Sequence, residues 1–165
     1  MIKQHVTHRS ISPFINDKSE ILILGSIPSV KSREYGFFYA HPQNRFFKLL
    51  AGVYGEEEPK SIDERKAFLD KHHVALYDVI FECDINGSSD SSIENAVPID
   101  LKSILTTFPN IKRIYTTGKK AKDLYDKYLY PQVGIEAISL PSSSPANASM
   151  KYEQILESYR LILSR

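Results

Sequence analysis

Cysteine is nearly missing from this 165-residue chain. Cys83 stands alone, so no intrachain disulfide can form and no cysteine-rich zinc site can be built. Neither charge is in excess: 21 Lys and Arg face 20 Asp and Glu, for a formal net charge of +1. Global charge therefore points neither toward a polyanionic partner nor away from one, and only a local patch would. No apolar run approaches the ~20 residues of a membrane span. The opening MIKQHVTHRSISPF lacks the apolar stretch of a secretory signal, so the default expectation is a cytoplasmic protein. The phosphate-loop patterns GxxxxGK[ST] and GxGxxG are absent. His5, His8, His72 and His73 have no partners at ligand-like spacing, so no metal site and no cofactor is expected.

What is present is ordinary globular composition, 42% hydrophobic and 25% charged. The length fits one domain over residues 1–165, able to bury roughly 70% of its unfolded surface without a staple. The run Ile21–Leu24, closed by Gly25, reads as a buried parallel strand. Pro42–Tyr54 reads as a helix with Phe46, Phe47, Leu49, Leu50 and Val53 on its apolar face. Ser61 and Glu64 form a capping-box pattern that opens a helix running to about His72. Val74–Ile80 predicts a second strand, and the polar, serine-rich Glu82–Ala96 a long loop with a turn at Asn86-Gly87. Asp100 would cap a short helix to Phe108; Ile111–Thr116 is a third strand. Gly118–Tyr130 is a helix stopped by Pro131, Gly134–Leu140 a fourth strand, and about Ala148 to Leu163 the last helix. Strands alternating with helices predict an α/β three-layer sandwich, a central four-stranded parallel sheet with helices on both faces.

In such sheets ligands bind beyond the carboxyl ends of the strands. Four segments should gather there: Gly25–Asn44, Ile80–Val97, Thr116–Lys120 and Leu140–Asn147. In the first, aromatics interleave with amides and one Arg in GFFYAHPQNRFF, a mixture suited to a planar base, since a ring stacks and an amide reads an edge. Helical spacing turns Phe46 and Phe47 inward as core. The serines of LPSSSPAN, together with the following helix N-terminus, suit a phosphate. Lys112, Arg113, Lys119, Lys120 and Lys122 read either as a solvated face or as bases near one rim that steer a polyanion. Asp78 and Asp90 can order water, though an Asp there is more often a hydrogen-bonding cap. His41 reads equally as a base or as part of a turn beside Pro42.

Together GSIPS, GFFYAHPQNRFFKLL, LYDVI, GSSDSSI and LPSSSPANA resemble the uracil-DNA glycosylase superfamily over roughly residues 20–160. The resemblance is greatest to its hypoxanthine (deoxyinosine) branch, then to the mismatch-specific uracil/thymine branch. It implies a monofunctional glycosylase of base-excision repair, hydrolysing the N-glycosidic bond of a flipped deaminated base, hypoxanthine or uracil, in DNA. Hydrolysis of this kind needs no metal, and a monomer without a cofactor is the expectation. Gly25, Ser26 and Ile27 fall in the first family motif. Ile27 stands where the mismatch-specific branch carries a water-positioning Asn, and the catalytic role passes to Asn44. Tyr39 takes the place of an aromatic that stacks on the flipped base. Thr117 stands where the hypoxanthine branch commonly has a base-contacting Asn, and Leu140 where the classical uracil enzymes have a catalytic His. Ser142, Ser143 and Ser144 match the motif that grips phosphates, and Asn147 and Lys119 flank it as further DNA contacts. Two other readings remain open at this stage: a binder of damaged or modified nucleic acid without chemistry, and a small-molecule or nucleotide hydrolase.

Overall fold

Strand β2, Ile21–Gly25, is buried at all five positions, and so is β3, Val74–Asp78. Uninterrupted burial, rather than alternation, means that both faces of the sheet are covered. The computed structural model describes residues 3–8, 11–27, 30–86 and 92–163. In it β2 lies at the centre of a four-stranded parallel sheet of order β3-β2-β6-β7, with β6 at Arg113–Thr117 and β7 at Ile138–Leu140. The chain leaves β2 for β3 on one side and later returns to β6 on the other. That reversal opens a crevice at the carboxyl ends of β2, β3 and β6.

Helices surround this sheet: α1 (Val30–Tyr35), α2 (Phe46–Tyr54), α3 (Ile62–His72), α4 (Leu101–Thr107) and α5 (Lys119–Leu124). The last two are α6 (Tyr130–Val133) and α7 (Tyr152–Tyr159). The expected caps are present. Ser61 Oγ accepts from Glu64 N at 3.0 Å while Ser61 N donates to Glu64 Oε1, and Asp100 Oδ1 accepts from Ser103 N. Phe46 and Phe47 are core residues, 0% and 1% exposed.

Four expectations need correcting. Helix α2 starts at Phe46 rather than Pro42, because the Asn44 side chain accepts from Phe46 N and holds residues 41–45 in a turn. Pro131 stops nothing. It sits in the first turn of α6, where its missing N–H costs little, and a π-helical turn over Tyr125–Leu129 joins α5 to α6. The last helix begins at Tyr152, four residues later than Ala148, since 144–150 fold into successive turns. Residues 82–96 are not one long loop. Strand β4 (Ile80–Ile85) pairs antiparallel with β1 (Gln4–Thr7) and with β5 (Glu94–Pro98) in a second, three-stranded sheet. In β4 the apolar residues Cys83 and Ile85 are buried between half-buried Glu82 and Asp84, a period of two hidden by the serine-rich stretch that follows. The turn glycine Gly87 lies outside the described residues.

Two features of this frame bear on the site. Arg45 ties the loop after β7 to the start of α2. Its backbone N donates to Ser143 O at 3.1 Å, and its guanidinium donates to Met150 O at 2.8 Å and Asn147 O at 3.0 Å. Thr116 is fully buried in β6, and its hydroxyl has no hydrogen-bond partner among the described residues. A buried hydroxyl without a partner costs roughly 1–3 kcal/mol. T116V should therefore stabilise the protein by about 1 kcal/mol, raising Tm by about 2–4 °C in a calorimetric scan. R45M should lose about 2 kcal/mol, because charge-assisted bonds to carbonyls are the strong ones, and limited proteolysis should then cut within 141–151.

Candidate functional site

At the carboxyl ends of the parallel strands lies a cavity of about 220 Å³. That is below the roughly 300–1,000 Å³ of pockets for drug-sized ligands, and suits one planar base. Gly25, Ser26, Ile27, Tyr39, Asn44, Thr117, Ser142, Ser143 and Ser144 all line it, joined by Ser32, Phe38, His41, Asp78 and Pro145. Lys119 and Asn147 do not; they line a neighbouring groove with Gly118 and Ser142. No described residue of 80–97 reaches the cavity, because that segment pairs into the second sheet. Pro28, Ser29 and Asp90 lie outside the described residues.

The wall begins at Gly25, opposite Asp78 in the parallel register of β2 and β3. A Cβ on Gly25 would overlap Asp78 Oδ1 and lie 3.6 Å from the Tyr39 hydroxyl. The missing side chain therefore makes room for both groups. Tyr39 adopts a left-handed backbone, φ 53°, which costs a non-glycine residue about 1–3 kcal/mol. Its ring stacks on Phe46 at 3.8 Å between centroids, and its hydroxyl shares a 3.0 Å hydrogen bond with Thr117 Oγ1. Burial and the Asp78 charge push the Tyr39 hydroxyl well above its ordinary pKa, against a smaller opposing effect of Thr117. It stays protonated at neutral pH.

Asp78 is also held from behind. His8 Nε2 lies 2.9 Å from Asp78 Oδ2, and His8 Nδ1 lies 3.0 Å from Ile11 O. Both side chains are buried, 0% and 7% exposed. Burial alone would lower the His8 pKa. The hydrogen bond and charge of Asp78, with the Ile11 carbonyl, outweigh it and leave the pKa raised. Sequence spacing does not show this pairing, because the partner of His8 stands 70 positions along the chain.

Asn44 Oδ1 is engaged by Phe46 N at 2.9 Å, which leaves the amide Nδ2 as the group it can offer the cavity. His41 Nδ1 accepts from Gln43 N at 3.0 Å, which fixes the proton of a neutral ring on Nε2. Opposite them, Ser142 Oγ accepts from Ser144 N and Ser144 Oγ from Ala146 N, both at 3.1 Å. Each hydroxyl keeps its O–H to donate, as an anionic oxygen requires. The N-terminus of α7 does not join them, since it starts at Tyr152. Asn147 Nδ2 donates to Ser142 O at 3.0 Å, so this side chain holds the loop in shape. Gly118, at φ 91°, donates its N–H to Leu140 O and brings the loop before α5 against Ser142.

The basic residues do not share a rim. Lys112 and Arg113 lie at the opposite end of β6 from Thr117, and Arg113 donates to Tyr115 Oη and Ile162 O. Lys119 and Lys122 pair with Asp123 and Asp126 one turn on. No group of three or more His, Cys, Asp or Glu side chains among the described residues is placed to hold a metal ion. No helix among them is long and apolar enough to cross a membrane.

Comparison with known proteins agrees with this geometry. The family profile of the uracil DNA glycosylase superfamily matches residues 12–162. A hypoxanthine DNA glycosylase of Methanosarcina acetivorans is 34% identical over 140 residues, 84% of this chain and 87% of its own. One from Methanosarcina barkeri is 32% identical over 136 residues, 82% and 85% of the two chains. A solution NMR structure of a Methanosarcina acetivorans protein described as a uracil DNA glycosylase superposes with a TM-score of 0.78, at 28% identity over 99% of both chains. The sheet, the cavity at its carboxyl edge and a match spanning nearly the whole chain lead to one conclusion: the chain belongs to the uracil DNA glycosylase superfamily and is a DNA glycosylase.

Proposed function

We propose that the substrate is a deaminated base in DNA, hypoxanthine foremost and uracil second, and that the enzyme removes it by simple hydrolysis in base-excision repair. The observation that carries this reading is the convergence of Tyr39, Asn44, Thr117 and the Ser142–Ser144 loop on one base-sized cavity. The hypoxanthine glycosylases among its relatives support the choice of base.

The chemistry follows from the groups available. The nucleotide leaves the stack, at a cost of a few kcal/mol, before its sugar–base bond is reachable. The bond between C1′ and the base nitrogen then breaks, and its electron pair leaves with the base. A water oxygen bonds to the cationic C1′, and one water proton ends on the departing base. The products are free base and an abasic hemiacetal. Asn44 would position the water or the base through Nδ2, and Tyr39 would present its outer ring face to the base. The Ser142 and Ser144 hydroxyls would hold the flanking phosphates. No lysine lines the cavity among the described residues, which favours water over an amine as nucleophile.

Purified protein incubated with labelled duplexes carrying hypoxanthine, uracil or no lesion, then treated with alkali, should yield strand breaks at hypoxanthine. N44D keeps the oxygen that accepts from Phe46 N and loses the amide donor. It should retain wild-type Tm while its single-turnover rate falls about 10²–10³-fold, the usual effect of deleting one aligned donor. N44A should lose the rate and also about 1 kcal/mol of stability, because the turn before α2 loses its bond. Borohydride added during turnover should trap no protein–DNA adduct. Lesion-dependent binding without strand breaks would replace catalysis by damage sensing.

A further inference from the structure

Asp78 on the cavity wall, with His8 buried behind it, has no part in the mechanism above. Its proton count can be worked out from geometry. His8 Nδ1 faces a carbonyl oxygen, Ile11 O, so this nitrogen must carry a hydrogen. His8 Nε2 and Asp78 Oδ2 stand 2.9 Å apart, so one proton must lie between them. Whether that proton sits on nitrogen, giving imidazolium and carboxylate, or on oxygen, giving imidazole and acid, the pair is neutral overall. In both forms Asp78 Oδ1 bears lone pairs only. Among the described residues Oδ1 accepts no hydrogen bond, and it lies on the cavity wall beside the bare Cα of Gly25.

An acceptor with no hydrogen distinguishes bases by one edge position. Hypoxanthine carries a hydrogen on N1 and uracil one on N3. Adenine and cytosine carry a lone pair at the same places. Resting on the deaminated-base reading, we infer that Asp78 Oδ1 separates a deaminated base from its amino-bearing parent at this site, accepting the ring N–H that deamination creates. His8 is the positioning residue that supplies the proton, so that the departing base, which gains negative charge, meets no uncompensated carboxylate. An amino-bearing base is rejected because its ring lone pair would face those of Oδ1.

The surroundings suit this role. Tyr77 packs edge-on against the His8 ring at 4.7 Å, with Phe38 and Phe81 on its other sides. The titratable groups facing the pair are Tyr39 and Tyr77, whose hydroxyls burial and the Asp78 charge both hold above their ordinary range. Asp78 is the one charged side chain acting on His8 among the described residues. The pair loses its proton as pH rises through the raised His8 pKa. Above that point the wall carries one negative charge.

Three variants, H8Q, D78N and H8Q/D78N, test this, with single-turnover excision measured between pH 6 and 10. The substrates are duplexes carrying hypoxanthine, adenine, uracil or cytosine at one position. The wild-type rate should fall at high pH. H8Q removes the imidazole that supplies the shared proton and should slow excision at neutral pH about a hundredfold. In D78N the amide donates to His8 Nε2 and keeps an oxygen toward the base. Excision should stay within about tenfold of wild type, with a smaller high-pH fall that reflects only loss of the base's own ring hydrogen. An amide can also turn to offer N–H, so the preference for hypoxanthine over adenine should shrink at least about tenfold. D78N placed in H8Q should restore the rate to near that of D78N, which a merely structural role of His8 would not allow. An H8Q loss that D78N fails to rescue overturns the inference, as does a D78N enzyme with the wild-type base ratio and pH profile. If H8Q does not fold, D78N and the wild-type pH profile still decide. A wild type that excises none of the four bases removes the deaminated-base reading itself, and this inference with it.

Discussion

Everything at the carboxyl edge of the sheet depends on β2 ending in a residue without a side chain. In-register parallel pairing sets Gly25 opposite Asp78. That single absence leaves a gap into which a carboxylate oxygen and a tyrosine hydroxyl both fit. Tyr39 then has a fixed place, with one ring face stacked on Phe46 and its hydroxyl bonded to Thr117. Two contacts offset the strain of its left-handed backbone: a stack worth roughly 0.5–1.5 kcal/mol and a hydrogen bond worth about 1 kcal/mol. The cavity is thus a by-product of sheet register.

The parallel sheet was legible in the sequence because β2 and β3 are continuous, mostly apolar runs and the chain between strands is punctuated by glycine and capped helices. ILIL followed by Gly25, the capping box at Ser61 and the Asp100 cap are local signals, and each is found in its expected place. The second sheet was not legible. Its strands are short and half polar, and β1 pairs with β4 across more than 70 positions of chain. No local rule announces such a pairing, although the alternation of Cys83 and Ile85 with Glu82 and Asp84 was visible in outline.

The same contrast applies to the site. Residues that carry a resemblance in their local motif, such as Asn44, Thr117 and Ser142–Ser144, gather at one cavity. Residues whose meaning depends on a distant partner were passed over. His8 reads as a stray histidine near the start of the chain until the fold sets it behind Asp78. Arg45 reads as part of a base-binding stretch until its guanidinium is seen holding Asn147 and Met150 carbonyls. Long-range polar contacts decide both roles, and sequence spacing does not encode them.

The cavity has a further consequence for how the protein reaches its working form. The buttress of its wall stands at His8 and its opposite lip at Ser144, so the cavity has no local precursor. A partly synthesised chain can form β2, α2 and α3, yet it lacks both the strand that supports Thr117 and the serine lip. Contacts of such wide sequence separation carry a large loop-closure entropy. The pocket is therefore complete only when nearly the whole chain, from His8 to Pro145, is in place.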